Sequence, residues 1–205
     1  MTQTIPADLP SLLRYIKRSL HGMMNGVASA SMRQKGLQYK VNFGVELPRL
    51  QQMAAELPHT YELAAALWKE NIRECRLLAG MLMPLEAFDA ELAEVWVEQM
   101  QFVEEAECTV MHLFARAPWA SDKAFEWIAS PSWMHELCGY LLLARLFMQG
   151  LVPGVRDLDE FLDQAATALR SDSVPVARAA YKALLKLSDL GPVQEAAVDK
   201  VLADL

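Results

Sequence analysis

The sequence predicts an all-α chain, and more specifically a stack of antiparallel helix pairs winding into a right-handed α-superhelix. Three observations predict it. Apolar residues recur at three- and four-residue spacing along nearly the whole chain, with no sustained alternation rich in β-branched residues, which is the period of helices and not of strands. Proline and glycine interrupt that pattern again and again, as residues that lack a donor or free the backbone do between helices. Cys75, Cys108 and Cys138 stand 33 and 30 residues apart, close to the length of one helix pair.

Taken in order, the breaks fall at Pro10, Gly26, the Asn42-Phe43-Gly44 turn, Pro58, Pro84, Pro118, Pro131, the Gly150 to Gly154 stretch, Pro175 and Gly191-Pro192. Between them the pattern predicts helices of about 10 to 18 residues. Asp89 is placed to cap the helix through Leu92, Val95 and Met100. Ser130 or Ser132 opens the one through Leu141 and Leu146, and Ser173, with Pro175 two positions on, opens another. The stretch AALWKENIRECRLLAGMLMP, Ala65 to Pro84, divides near Lys69 to Asn71 into two helices of one layer.

Three segments align with one another: IRECRLLAGML, MHELCGYLLLARLF and PVARAAYKALLKLS. Each sets small residues (Ala79 and Gly80, Gly139 and Ala144, Ala179 and Ala180) among large aliphatics, which lets a neighbouring helix come close. Arg73-Glu74, His135-Glu136 and Arg178 lie near their starts. Helix pairs stacked in this way bury a continuous spine and leave a concave surface for binding, as in HEAT and armadillo arrays. A HEAT-like array forming a single domain over residues 1–205 is expected, with a compact helical bundle as the alternative fold.

Composition bounds the function. With 53% hydrophobic and 22% charged residues the chain is that of a packed globular protein. No apolar run approaches the roughly 18 residues of a membrane span, so no membrane partner is expected. The opening MTQTIPADLP has neither a basic start nor an apolar core, which predicts no secretory leader and a cytoplasmic, reducing setting. Three cysteines without a C-x-x-C pair, and four scattered histidines, predict buried thiols rather than disulfides or a metal site. Neither a phosphate-binding glycine loop nor a G-x-S-x-G nucleophile elbow occurs, and no cofactor is expected.

Net charge is −7, which works against binding phosphates, but its distribution is uneven. Within residues 1–50 the seven cations Arg14, Lys17, Arg18, Arg33, Lys35, Lys40 and Arg49 face only Asp8 and Glu46, leaving +5. Within residues 86–126 ten carboxylates face Arg116 and Lys123, leaving −8. A basic amino-terminal face could therefore meet an anionic partner that the middle of the chain would repel. Two solvated faces of opposite sign are the plainer reading.

Three motifs carry a family resemblance. NFGVELPRL, Asn42 to Leu50, resembles the Gly-Val-x-x-Pro-x-Leu opening of the first repeat in bacterial DNA alkylation repair proteins with HEAT-like repeats. Leu67-Trp68, followed by the helix that begins Arg73-Glu74 and continues Arg76-Leu77-Leu78-Ala79, is similar to their next repeat. FEWIASPSWMHELCGYLLLARLF, Phe125 to Phe147, resembles the helix pair in which that family has a Trp-Ala-x-Ser step, then a Trp and a basic residue.

That resemblance implies N-glycosylase ancestry, in which a carboxylate stabilises positive charge growing on the sugar, aromatic residues meet the lesion and an Arg holds a phosphate. Carried over, it places Glu104 and Glu107 at the carboxylate positions, with Val103 at the aromatic one and Phe102 beside it as the alternative. Trp133 matches the later Trp, while His135 and Glu136 stand where a phosphate-clamping Arg is expected. The implied function is that of a DNA-repair-related binding protein on duplex DNA with an altered catalytic site. Arg14, Lys17, Arg18, Lys35 and Lys40 would supply backbone contacts, and Arg73 or Arg76 could turn toward a phosphate. The alternative is a non-catalytic scaffold holding a protein or peptide in the concave face.

Each of these residues also has a structural reading. Trp68, Trp96, Trp119, Trp127 and Trp133 lie at helical spacing among apolar neighbours, as core or groove-wall residues do, and Trp127 with Trp133 is the pair expected on an open surface. Arg73, Glu74 and Arg76 read equally as a polar ladder between repeats, and Glu104, Glu105 and Glu107 as a solvated helix face.

Overall fold

The computed structural model describes residues 5–204, so the first four residues of the MTQTIPADLP opening lie outside the described residues. Among them all regular structure is helical, apart from one parallel bridge between Val41 and Ile72. The chain forms two compact units, Met1–Phe88 and Asp89–Leu205.

Unit 1 holds α1 (Leu9–Gly22), α2 (Gly26–Gln34), α3 (Leu47–Glu56), α4 (Tyr61–Trp68) and α5 (Arg73–Leu82). Asp8 starts α1 by accepting the Ser11 N–H at 2.9 Å, with Pro10 in the first turn where a missing donor costs nothing. Leu12, Ile16 and Leu20 then recur every fourth residue as its buried stripe. Thr60 caps α4, and the break between α4 and α5 comes at Lys69 to Ile72, as the sequence pattern requires. Every residue of α5 except Arg76 is buried, and the helix packs on α3 and α4.

The Asn42-Phe43-Gly44 turn is fastened to α5 by a buried ion pair between sequence neighbours. Glu74 accepts the N–H groups of Phe43 and Val45, each at 3.2 Å, while Arg73 donates to the Val45 carbonyl at 2.9 Å and to Glu74 at 3.1 Å. The carboxylate thus satisfies two loop donors that would otherwise be buried without partners. Gly44 is required at its place: its φ is 71°, and a Cβ there would stand 2.3 Å from the Asn25 carbonyl oxygen.

Unit 2 holds α6 (Ala90–Gln99), α7 (Val103–His112), α8 (Ala120–Ile128), α9 (Trp133–Met148), α10 (Val155–Leu169), α11 (Val174–Ser188) and α12 (Pro192–Ala203). Asp89 caps α6 through the Leu92 N–H at 2.8 Å. The centre is α9, whose run from Leu137 to Ala144 is buried throughout between α8, α7 and α11. Gly139 permits the closest of these approaches, since a Cβ would lie 2.8 Å from both the Ile128 side chain and its backbone nitrogen. Phe161 of α10 packs edge-on against Phe147, with ring centroids 5.3 Å apart.

The helix-pair organisation follows the predicted breaks. The three aligned segments are the cores of α5, α9 and α11, and the small residues singled out in them, Ala79, Gly80, Gly139, Ala144, Ala179 and Ala180, are all buried. Cys75, Cys108 and Cys138 fall on α5, α7 and α9, every second helix, and all three are buried thiols outside any disulfide, which accounts for their spacing. No helix among the described residues is long and apolar enough to cross a membrane.

Candidate nucleic-acid interface

In unit 2 one carboxylate gathers side chains from three helices. Glu94 of α6 accepts from Trp127 Nε1 of α8 at 2.7 Å, pairs with Lys123 Nζ of α8 at 2.8 Å, and meets His135 Nε2 of α9 at 2.9 Å. An ionised carboxylate can only accept, so His135 donates from Nε2 and presents Nδ1 to the Ser132 hydroxyl at 3.0 Å. Burial pushes the Glu94 carboxyl up, but the hydrogen bonds from Lys123 and Trp127 and the Lys123 charge outweigh it and hold the group below its ordinary value. Burial likewise disfavours the Lys123 ammonium, and its bonds to Glu126 and Glu94 more than compensate, leaving its pKa raised.

This network settles where the two tryptophans go. Trp133, the first residue of α9, is 43% exposed, as expected of a surface aromatic. Trp127 is not on an open surface, contrary to the sequence expectation: it is buried, its indole N–H is spent on Glu94, and its ring meets Phe114, Trp119 and His135 at centroid distances of 5.6, 6.2 and 6.0 Å. The amphipathic indole sits where an apolar pocket ends in a single acceptor. Ser132 takes the N-cap position of α9 without capping it, because its hydroxyl faces His135. Glu136 is partly buried, which raises its carboxyl pKa.

Of the acidic run on α7, Glu107 is exposed and Glu104 half-buried, while Phe102 occupies the N-cap position. Glu105 departs from the solvated face predicted for it. It is buried, and its carboxylate turns back to accept the N–H groups of Gln101 at 2.7 Å and Phe102 at 3.4 Å, as an acidic residue at the third helical position does. The carboxylate that meets His135 is therefore Glu94 of α6, with Glu104 and Glu107 on a different helix.

In unit 1 the cations divide by environment. Arg14, Arg18, Arg33, Lys35 and Lys40 are exposed. Arg14 donates to Ser11 at 2.8 Å, and none of these five forms an ion pair among the described residues. Arg14 and Arg18, four residues apart, share one face of α1. Lys17 instead pairs with Glu70 beyond the end of α4. Arg73 is turned inward by its bonds to Val45 and Glu74. Arg76 lies 4.1 Å over the buried Trp68 ring and reaches the Trp68 carbonyl at 3.3 Å, capping the end of α4.

Glu94 and Lys123 carry no motif and were not among the residues singled out from the sequence. The only signal was their type: a Glu on the inner side of α6 and a Lys one turn before Trp127, whose meeting depends on how α6, α8 and α9 pack. Among the described residues no group of three or more His, Cys, Asp or Glu side chains is placed to hold a metal ion.

Residues 16–196 match the family described as DNA alkylation repair enzyme. No curated protein sequence matches the chain. One solved structure, from a new family of proteins related to the HEAT-like repeat DNA glycosylases with affinity for branched DNA structures, superposes with a TM-score of 0.80. The alignment covers 92% of this chain and 82% of that one at 16% identity, so the two share the HEAT-like all-helical fold.

Proposed function

We propose that this chain, which belongs to the DNA alkylation repair enzyme family, is a DNA-binding protein that holds the phosphate backbone through the exposed cations of α1, α2 and the segment after them. The observation that carries the reading is that Arg14, Arg18, Arg33, Lys35 and Lys40 stand in solvent and form no ion pair among the described residues. Cations in that state release counterions from DNA on binding, the main source of sequence-independent affinity. The affinity for branched DNA described for the family of the superposed structure supports DNA, rather than a peptide, as the ligand class.

Base release through Glu104 or Glu107 is not part of this reading. A developing sugar cation needs an anion whose charge is free to meet it. The carboxylate that meets His135 is Glu94, whose charge is already balanced by Lys123, while Glu104 and Glu107 lie on α7. The network is an architectural tie between α6, α8 and α9.

Titration of the full chain against labelled duplex DNA, with and without an alkylated base, tests both halves. Affinity falls steeply as salt rises, and no free base appears over the course of the experiment. Absence of binding at low salt would overturn the DNA reading and point to a peptide ligand. A base release that Glu104→Gln abolishes would overturn the non-catalytic half.

A further inference from the structure

Helix α3, LPRLQQMAAE, carries its two charges at the ends where its own dipole disfavours them. The open N–H groups make the first turn of a helix positive and the open carbonyls make its last turn negative, so acids are favoured at the start and bases at the end. In α3 the order is reversed: Arg49 stands in the first turn and Glu56 is the last residue, with no acid in the first turn and no base in the last. Glu46 holds the N-cap position but makes no side-chain bond to the first-turn N–H groups. Local rules broken in this way mark positions kept for function rather than for folding.

Both charges line one cleft between α1 and α3. Arg49, Gln52 and Glu56 recur at three- and four-residue spacing on a single face of α3, and Tyr15 and Ser19 do the same on α1. Met23, Met53 and Leu57 supply apolar wall between them, and the space enclosed is about 390 Å³, within the range of small-molecule sites. The side chains of Tyr15, Ser19, Arg49, Gln52 and Glu56 form no hydrogen bond or ion pair among the described residues. Polar groups that converge on an apolar-walled cleft without a partner in the protein point to a ligand. Glu46 lines the adjoining concavity, which shares Met23 and Arg49 with the cleft, so the Arg49 end is the open one.

Arg49 and Glu56 stand two turns apart, about 10 Å along the axis of α3. The ligand they fit has an anion at one end, N–H donors at the other and a flat apolar body between. A guanine nucleotide has its groups in that order. Its phosphate meets the Arg49 guanidinium at the positive end of the helix, and its ring faces lie against the flexible thioethers of Met23 and Met53. The guanine edge sets N1–H beside the N2 amino group, two donors that one carboxylate accepts through both oxygens, and the Gln52 amide can donate to O6. Adenine places an acceptor beside its amino group, which Glu56 cannot serve. We propose that the cleft between α1 and α3 binds a free guanine nucleotide, with Arg49 on the phosphate and Glu56 on the base edge. Duplex DNA keeps that edge paired, and Arg49 is not among the cations assigned to DNA above, so this site stands apart from the DNA-binding reading.

The test titrates the full chain with GMP, AMP and guanosine by calorimetry. Wild type binds GMP about tenfold more tightly than either of the others, one for want of the donor pair and one for want of the phosphate. Glu56→Gln loses the preference for GMP over AMP and keeps that for GMP over guanosine; Arg49→Gln does the reverse. Both side chains are exposed, and each substitution removes a charge opposed to the helix dipole, so neither variant melts below wild type. A lower melting point in both would show that the two charges serve the fold, and would remove the ground for a ligand. No GMP binding to wild type, or GMP binding that neither substitution changes, would overturn the site. A guanine-containing single strand that binds more tightly than GMP, and loses that binding in Glu56→Gln, would overturn the free nucleotide in favour of a base within a strand.

Discussion

The indole N–H of Trp127 lies 2.7 Å from Glu94 Oε1, joining residues 33 positions apart in the chain. Around that bond Lys123 and His135 complete a ring of donors on one carboxylate, and no motif marks that carboxylate in the sequence.

Replacing Glu94 by Gln keeps one acceptor but removes the charge facing Lys123. Chemical denaturation at neutral pH should show a loss of about 1–2 kcal/mol, the cost of a partly exposed charge-assisted bond. The Glu94 carboxyl is held below its ordinary value of 4.5, so its contribution is fully present above that value and is lost as pH falls through the lower, folded one. The difference between wild type and Glu94→Gln should therefore shrink as pH falls below 4.5 and vanish once it has passed the folded value. A difference that persists there would show that the carboxylate's charge is not what stabilises the fold.

Glu74→Ala should be far more costly. Removing one partner of a buried pair leaves the Arg73 charge uncompensated and frees two loop N–H groups, a loss of about 3–5 kcal/mol. Hydrogen exchange should show the amides of Phe43 and Val45 losing protection before the rest of unit 1 does. Intact protection at those amides would disprove the stapling role.

Gly139→Ala tests the close approach of α8 to α9. A methyl group at that point meets backbone as well as the Ile128 side chain, so the helices must separate, at about 1–3 kcal/mol. Thermal unfolding measures it, and an unchanged midpoint would mean that the two helices can shift freely.

Among the cations of α1, Arg18→Glu should weaken DNA binding more than Lys17→Glu. Arg18 is exposed and forms no ion pair among the described residues, whereas Lys17 is engaged with Glu70. Loss of one phosphate contact lowers the slope of log affinity against log salt by about one. The reverse order of effects would shift the contact surface to the other side of the helix.

The three thiols should be inert to a disulfide reagent in the native protein and react only on unfolding. All are buried, and burial pushes the Cys75 thiol up to about 12, so almost no thiolate is present at neutral pH. Rapid modification of the native chain by the reagent would contradict this packing.

Much of this protein was legible in the sequence alone. The helical period, the prolines and glycines between helices, the Asp89 cap, the spacing of the cysteines and the basic amino-terminal segment are local properties: each depends on a residue's own conformational preference or on its place in the chain. What Glu94, Trp127, Arg73 and Glu74 do was decided by tertiary packing. Periodicity says which face of α8 is apolar, but not that α6 would bring Glu94 beneath it and draw Trp127 inward. The pattern Arg73-Glu74 admits a ligand site or an internal tie, and only the return of the Asn42-Phe43-Gly44 turn onto α5 makes it the tie. Nor does the sequence show that Met24, just before α2, and Val27 in its first turn would be left in solvent, since exposure depends on which other element arrives to cover a face. Short-range interactions set each helix; which side chains meet across 30 or 40 residues is set by how the helices close on one another, and so the ties through Glu94 and Glu74 exist only in the tertiary structure.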